Sequence, residues 1–120
     1  MGKRQTTTIK IASKEIALGK SVVEANTIAS RMIGLLGTSS MNDFDGLLIT
    51  KCNSIHTFFM KYDIDVIFLD SGNRIIQIIR SIKPWRITRI YFRASKVLEL
   101  SGGTLDENVH IGDQVEICIN

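Results

Sequence analysis

The stretch from Val66 to Ile82 constrains the fold more than any other part of the chain. Residues 66–69 form an apolar run rich in strand formers, and Asp70-Ser71-Gly72-Asn73 is turn chemistry. Ile75–Ile82 then places isoleucines on both faces of an extended segment. The pattern predicts a β-hairpin, and a second strand apolar on both faces is expected to be central in its sheet. Shorter runs agree. Residues 8–11 alternate polar and apolar, residues 16–18 and 22–25 flank Gly19 as a hairpin, and residues 46–49 are β-rich. Residues 96–100 and 115–119 also alternate, and Gly102-Gly103 and Gly112-Asp113 between them are turn formers. One helix is predicted over residues 27–36, capped by Asn26, carrying Ile28, Met32 and Leu35 on one face and stopped by Gly37. About eight short strands with a single helix argue for a mainly β fold rather than alternating βαβ units. The expected architecture is a single-domain β-sandwich or partly open barrel spanning residues 1–120, with residues 1–6 as a disordered N-terminus and one short helix near residues 27–36.

A chain of 120 residues removes roughly two-thirds of its surface from water on folding, enough for one core without a disulfide or metal staple. With 44% hydrophobic and 22% charged residues, this composition excludes a disordered tail and a disulfide miniprotein. The longest apolar stretches fall far short of the roughly 20 residues a membrane-spanning helix needs, and no apolar signal-peptide core follows Lys3 and Arg4. The reading is cytoplasmic, with no membrane partner and with Cys52 and Cys118 as free thiols.

The net charge of +3 is unevenly placed. Residues 71–98 carry Arg74, Arg80, Lys83, Arg86, Arg89, Arg93 and Lys96 with no carboxylate, while residues 99–120 carry Glu99, Asp106, Glu107, Asp113 and Glu116 with no lysine or arginine. Either the two blocks neutralise one another, which is the expectation, or the basic block is a patch for an anionic partner.

Residues 52–65 gather a thiol, an imidazole, hydroxyls, aromatics and two carboxylates. If this stretch is extended, Cys52, Ser54, His56, Phe58 and Met60 share one face, and Asn53, Ile55, Thr57, Phe59 and Lys61 the other. A thiol beside an imidazole, with Asp63 or Asp65 orienting the ring, is the raw material of a thiol-dependent hydrolase or transferase. Against it, strand neighbours four apart lie about 13 Å apart at the backbone. No Cys-x-x-Cys or His-x-x-x-His spacing nucleates a metal site, so neither metal nor cofactor is expected. Asp63 and Asp65 are read as turn or strand-entrance residues ahead of a Mg²⁺ pair. Trp85-Arg86 with Arg89, Tyr91, Phe92 and Arg93 interleaves guanidinium and aromatic groups, as a nucleic-acid binder does and as an ordinary strand with snorkelling arginines also does.

The string C-x-S-I-H-T-F-F-M-x-x-x-I-D at residues 52–65, followed by Val66-Ile67-Phe68-Leu69-Asp70, resembles the central signature of the prokaryotic domain of unknown function family 192. Arg31-Met32-Ile33-Gly34-Leu35-Leu36-Gly37 upstream, Lys83-Pro84-Trp85-Arg86 and Val97-Leu98-Glu99-Leu100 with Gly102-Gly103 downstream, and Ile111-Gly112-Asp113-Gln114-Val115 extend the likeness from about residue 20. The resemblance implies a compact, mainly β domain with one conspicuous helix and no assigned biochemical role. It singles out Arg31, His56, Phe58, Met60, Asp65, Asp70, Trp85, Glu99 and Asp113. Many family members follow a leader, and this chain is expected to have none. Others replace the Cys/His stretch with an apolar, tryptophan-containing version, which favours binding over catalysis.

The leading expectation is therefore a non-enzymatic accessory domain, monomeric or dimeric. Its shallow pocket is lined by His56, Phe58, Met60 and Trp85, framed by Arg31, Arg86 and Asp65, and takes a small polar or anionic ligand or a protein segment. The first alternative is a thiol enzyme with Cys52, His56 and Asp65. The second is a binder of anionic surfaces or nucleic acid through residues 80–96.

Overall fold

The computed structural model describes residues 5–25, 44–58 and 60–120. Seven strands run in chain order: β1 (Thr7–Ile11), β2 (Ile16–Ala25), β3 (Gly46–Thr50), β4 (Ile64–Leu69), β5 (Ile75–Ile82), β6 (Lys96–Ser101) and β7 (Val115–Ile119). They form one sheet in the order β5-β4-β6-β3-β2-β1-β7. Every pairing is antiparallel except β2 with β3. The two outermost strands approach each other at one end. Arg74 bridges Gln114, and the N–H groups of Gly112 and Val115 donate to Ile75 O and Asn73 O at 2.8 and 2.9 Å. Those bonds curl the sheet into a partly open barrel, the second of the two expected architectures. The fold is mainly β in a single domain, with no helix among the described residues. The helix expected near residues 27–36, Arg31 included, lies outside them.

Both faces of the sheet are buried, and alternation within the strands sorts side chains between them. Ile67, Leu69, Leu98 and Leu100 point to the barrel interior with Ile9, Ile11 and Val115. Val66, Phe68 and Val97 point the other way, into a second core with Ile55, Met60 and Ala94. Every residue of β4 is buried. Among the described residues, that second face is covered by irregular chain at residues 51–58, 60–63 and 83–95 rather than by another sheet.

Three sequence expectations change. The Val66–Ile82 hairpin forms as predicted, but β5 is an edge strand and β4 lies inside it. Ile75 and Ile78 pack on the interior core, and Ile76, Ile79 and Ile82 on the outer one. A strand apolar on both faces is thus covered twice without being central. Gly19 does not turn a hairpin either, because β2 runs unbroken through it and the turn falls at residues 12–15. A β-carbon on Gly19 would meet Val22 Cγ2 at 2.6 Å, so close packing at the irregular β1–β2 register requires the glycine. Finally, the described residues between 52 and 63 form no regular strand, and the one ladder contact among them is the isolated bridge from His56 to Ile87.

Candidate functional site

The irregular cover of the outer core is a two-segment flap. Residues 53–57 and 85–91 run antiparallel, tied by N–H bonds from Thr57 to Arg86 O (2.8 Å), Trp85 to Thr57 O (3.0 Å), Thr88 to Ile55 O (2.9 Å) and Tyr91 to Asn53 O (2.9 Å). Thr57 is the pivot. Its side chain is fully buried, its hydroxyl donates to Lys83 O at 2.6 Å, and the same oxygen accepts from Arg86 N at 2.8 Å. Cys52 N–H donates to Ser95 O at 3.1 Å and closes the far end of the flap. Ile55 and Met60 anchor it from below in the outer core.

On this frame three of the expected site residues meet. The His56 and Phe58 rings lie 4.9 Å apart and the Phe58 and Trp85 rings 5.8 Å apart, the latter pair stacked. His56 Nδ1 accepts the Phe58 N–H at 3.3 Å, which places the ring hydrogen on Nε2 while the imidazole is neutral. Trp85 has φ of 64°, in the left-handed region where a bulky side chain costs on the order of 1–2 kcal/mol. The Thr57 bonds on either side of it over-determine that conformation. Even so, Trp85 remains 57% exposed. Arg86 is exposed beside it, and its guanidinium donates to Pro84 O at 3.4 Å.

The other expected site residues go elsewhere. Met60 is buried and supports the flap from the core. Asp65 is buried between Ile64 and Val66, whose side chains point to the outer core, so its own carboxylate points to the opposite side of the sheet. There it accepts Ser81 N–H at 2.8 Å and Leu105 N–H at 3.0 Å, tying the end of β5 and the loop after β6 to β4. Asp63 pairs with Lys83 at 3.8 Å. The Cys52 thiol donates to Ser54 O at 3.0 Å. The hydrogen bonds of the thiol and the imidazole described here thus both go to nearby backbone. Among the described residues no group of three or more His, Cys, Asp or Glu side chains is placed to hold a metal ion.

The two charge blocks meet through the backbone rather than through ion pairs. The ion pairs among the described residues are Lys10–Glu116, Lys14–Asp113 and Lys83–Asp63, and none joins residues 71–98 to the carboxylates of residues 99–120. Arg74 and Arg80 instead donate to the backbone oxygens of Gly112, Leu105 and Asp106. At the barrel end, Lys14 Nζ donates to Asp113 Oδ2 (2.9 Å) and Asn108 O (2.7 Å), and contacts His110 Nδ1 at 3.1 Å. Burial pushes the Asp113 carboxyl up, but the His110 N–H and the bond and charge of Lys14 outweigh it and hold the group below its ordinary range.

Sequence reasoning missed two features of the flap. Thr57, read as one member of an alternating face, is the residue that shapes the Trp85 turn. Ile87 and Ile90 are 71% and 49% exposed beside Phe92 at 87%, where an ordinary strand would bury alternate residues. Glu99 differs as well. Simple alternation leaves a carboxylate on a solvent face, yet it is 2% exposed between Leu47 and Val66 on the sheet face beneath the flap.

Comparison with known proteins places this arrangement in a family. The family model for domain of unknown function 192, described as Uncharacterized ACR, matches residues 7–117. A UPF0127 protein of Thermococcus sibiricus is 36% identical over 97 residues, 77% of this chain and 62% of that protein, so the chain spans less than two-thirds of its length. A UPF0127 protein of Pyrococcus horikoshii is 35% identical over 109 residues, 87% of this chain and 93% of its own. In fold, the chain is similar to a protein of unknown function from Novosphingobium aromaticivorans, with a TM-score of 0.76 and 19% identity over 91% of this chain and 83% of that one. It is also similar to a candidate transcription regulator from Sinorhizobium meliloti, with a TM-score of 0.74 and 23% identity over 94% and 92% of the two chains.

Proposed function

The chain belongs to the uncharacterised domain of unknown function family 192, and from that premise we propose that it is a non-enzymatic binding domain. Its contact surface is the flap bearing His56, Phe58, Trp85 and Arg86. The observation that carries this reading is the Trp85 backbone: a left-handed φ of 64° on a bulky residue that stays 57% exposed. Burial in the core does not account for such a conformation, since Trp85 is more exposed than buried. Outward display of a fixed aromatic surface does account for it. Arg86 beside the stack, with Arg89 and Arg93 further along, favours an anionic partner. Binding is preferred to thiol chemistry because the Cys52 hydrogen goes to Ser54 O at 3.0 Å and His56 Nδ1 is occupied by a backbone N–H at 3.3 Å.

Salt-dependent retention on a polyanion column, together with thermal shift against anionic metabolites, nucleotides and acidic peptides, tests the reading. Retention that weakens in Trp85→Ala and Arg86→Ala is expected. Unchanged retention in both variants, with no compound raising the melting temperature, refutes it.

A further inference from the structure

We propose that the partner of the flap is an anionic lipid bilayer surface, on which the domain lies without crossing. This inference rests on the binding reading and names the class of partner. Among the described residues, five of the seven exposed large hydrophobics, Phe58, Trp85, Ile87, Ile90 and Phe92, lie in the flap. Such clustering marks an interaction surface, whereas scattered exposed apolar residues mark nothing. Arg86, Arg89 and Arg93 are interleaved with them, and none takes part in an ion pair among the described residues. Tryptophan and phenylalanine at headgroup depth with guanidinium groups reaching phosphates is the chemistry of interfacial attachment.

Two observations favour lipid over a nucleic-acid strand. Isoleucines 71% and 49% exposed have no role in base stacking but suit acyl chains. Moreover, the N–H groups of Thr57, Trp85, Thr88 and Tyr91 are all satisfied within the flap, so it can enter an apolar layer without stranding them. No helix among the described residues is long and apolar enough to cross a membrane. The absence of a membrane partner expected from the sequence concerned spanning segments, and lying on a surface requires none.

Trp85 is the chain's single tryptophan, so its emission reports on the flap directly. The full chain is mixed at low and high salt with phosphatidylcholine vesicles, with vesicles containing phosphatidylglycerol, and with a single-stranded oligonucleotide. Sedimentation, Trp85 emission and polyanion retention are measured in parallel. Sedimentation with the anionic vesicles and a blue-shifted Trp85 are expected, both reversed by salt. Partitioning should fall at least tenfold in Phe92→Ser and about 25-fold in Arg89→Ala/Arg93→Ala, about fivefold per cation removed. The altered side chains are exposed, and unchanged melting temperatures verify that the variants fold. Retention on the polyanion that depends on Trp85 and Arg86, without vesicle binding at low salt, overturns the lipid proposal and leaves the binding reading standing. Quenching by the oligonucleotide at lower phosphate concentration than the vesicle response assigns the flap to nucleic acid and likewise overturns it. Neither retention nor vesicle binding overturns both.

Discussion

Replacing Thr57 with valine tests whether the Trp85 turn is built rather than incidental. The substitution keeps the branched shape and exchanges a hydroxyl for a methyl at a fully buried position. Two hydrogen bonds disappear, the 2.6 Å bond to Lys83 O and the 2.8 Å bond from Arg86 N. Each contributes about 1 kcal/mol net, and a buried group left without a partner adds about 1–3 kcal/mol. Lys83 and Arg86 are both exposed residues, so the penalty for their two backbone groups lies at the low end of that range, about 1 kcal/mol in all, and the added methyl returns somewhat under 1 kcal/mol. The net expectation is a loss of about 2–3 kcal/mol. For a chain of 120 residues that corresponds to a melting temperature lower by roughly 10 °C. Thr57→Ser keeps the oxygen and loses one methyl, and should cost about 1 kcal/mol. Urea titrations of the three proteins, followed by far-ultraviolet dichroism and by Trp85 emission, make the comparison at constant m-value. Equal stability of the valine and serine variants, or a valine variant within about 0.5 kcal/mol of the parent, refutes the claim that the hydroxyl holds the turn.

Other expected outcomes follow from contacts away from the turn. Asp65→Asn leaves one carbonyl oxygen and an NH₂ group facing the Ser81 and Leu105 amides, and should destabilise the fold by about 2–4 kcal/mol in urea titration; a loss under about 1 kcal/mol would contradict the anchoring role. Asp113 has a folded-state pKa below its ordinary value, so its contribution is present above about pH 4 and is lost as pH falls through the folded value. Lys14→Ala removes one cause of that depression. Melting temperatures from pH 7 to pH 2 should therefore drop less steeply below about pH 4 in the variant than in the parent, and parallel curves would refute the assignment. Thiol labelling should show the exposed Cys118 reacting faster than the half-buried Cys52, whose hydrogen is held by Ser54 O. Faster labelling of Cys52 would restore the thiol-enzyme reading.

Strand positions were legible from sequence because local alternation and turn chemistry determine them. The hairpin at residues 66–82 and the strands near residues 8–11, 46–49, 96–100 and 115–119 all form. Which faces those strands bury was not legible, because that depends on what covers the sheet. Here the cover among the described residues is the flap at residues 51–58, 60–63 and 83–95, held by pairings about 30 residues apart in sequence and bearing no period of 2 or 3.6 that would announce it. Hence a carboxylate in an alternating strand, Glu99, lies buried, while Ile87 and Phe92, in a segment as apolar as many core strands, stand in water. The candidate site was half legible for the same reason. Its residue types, His56, Phe58, Trp85 and Arg86, were visible as chemistry. Their convergence was an expectation, but the way it is achieved was not legible, because it depends on Thr57 joining both segments and on a left-handed Trp85 backbone that no local propensity favours. Where local preference and adopted conformation disagree this plainly, the long-range contacts that impose the conformation mark the place to look for function. In this chain they mark the flap.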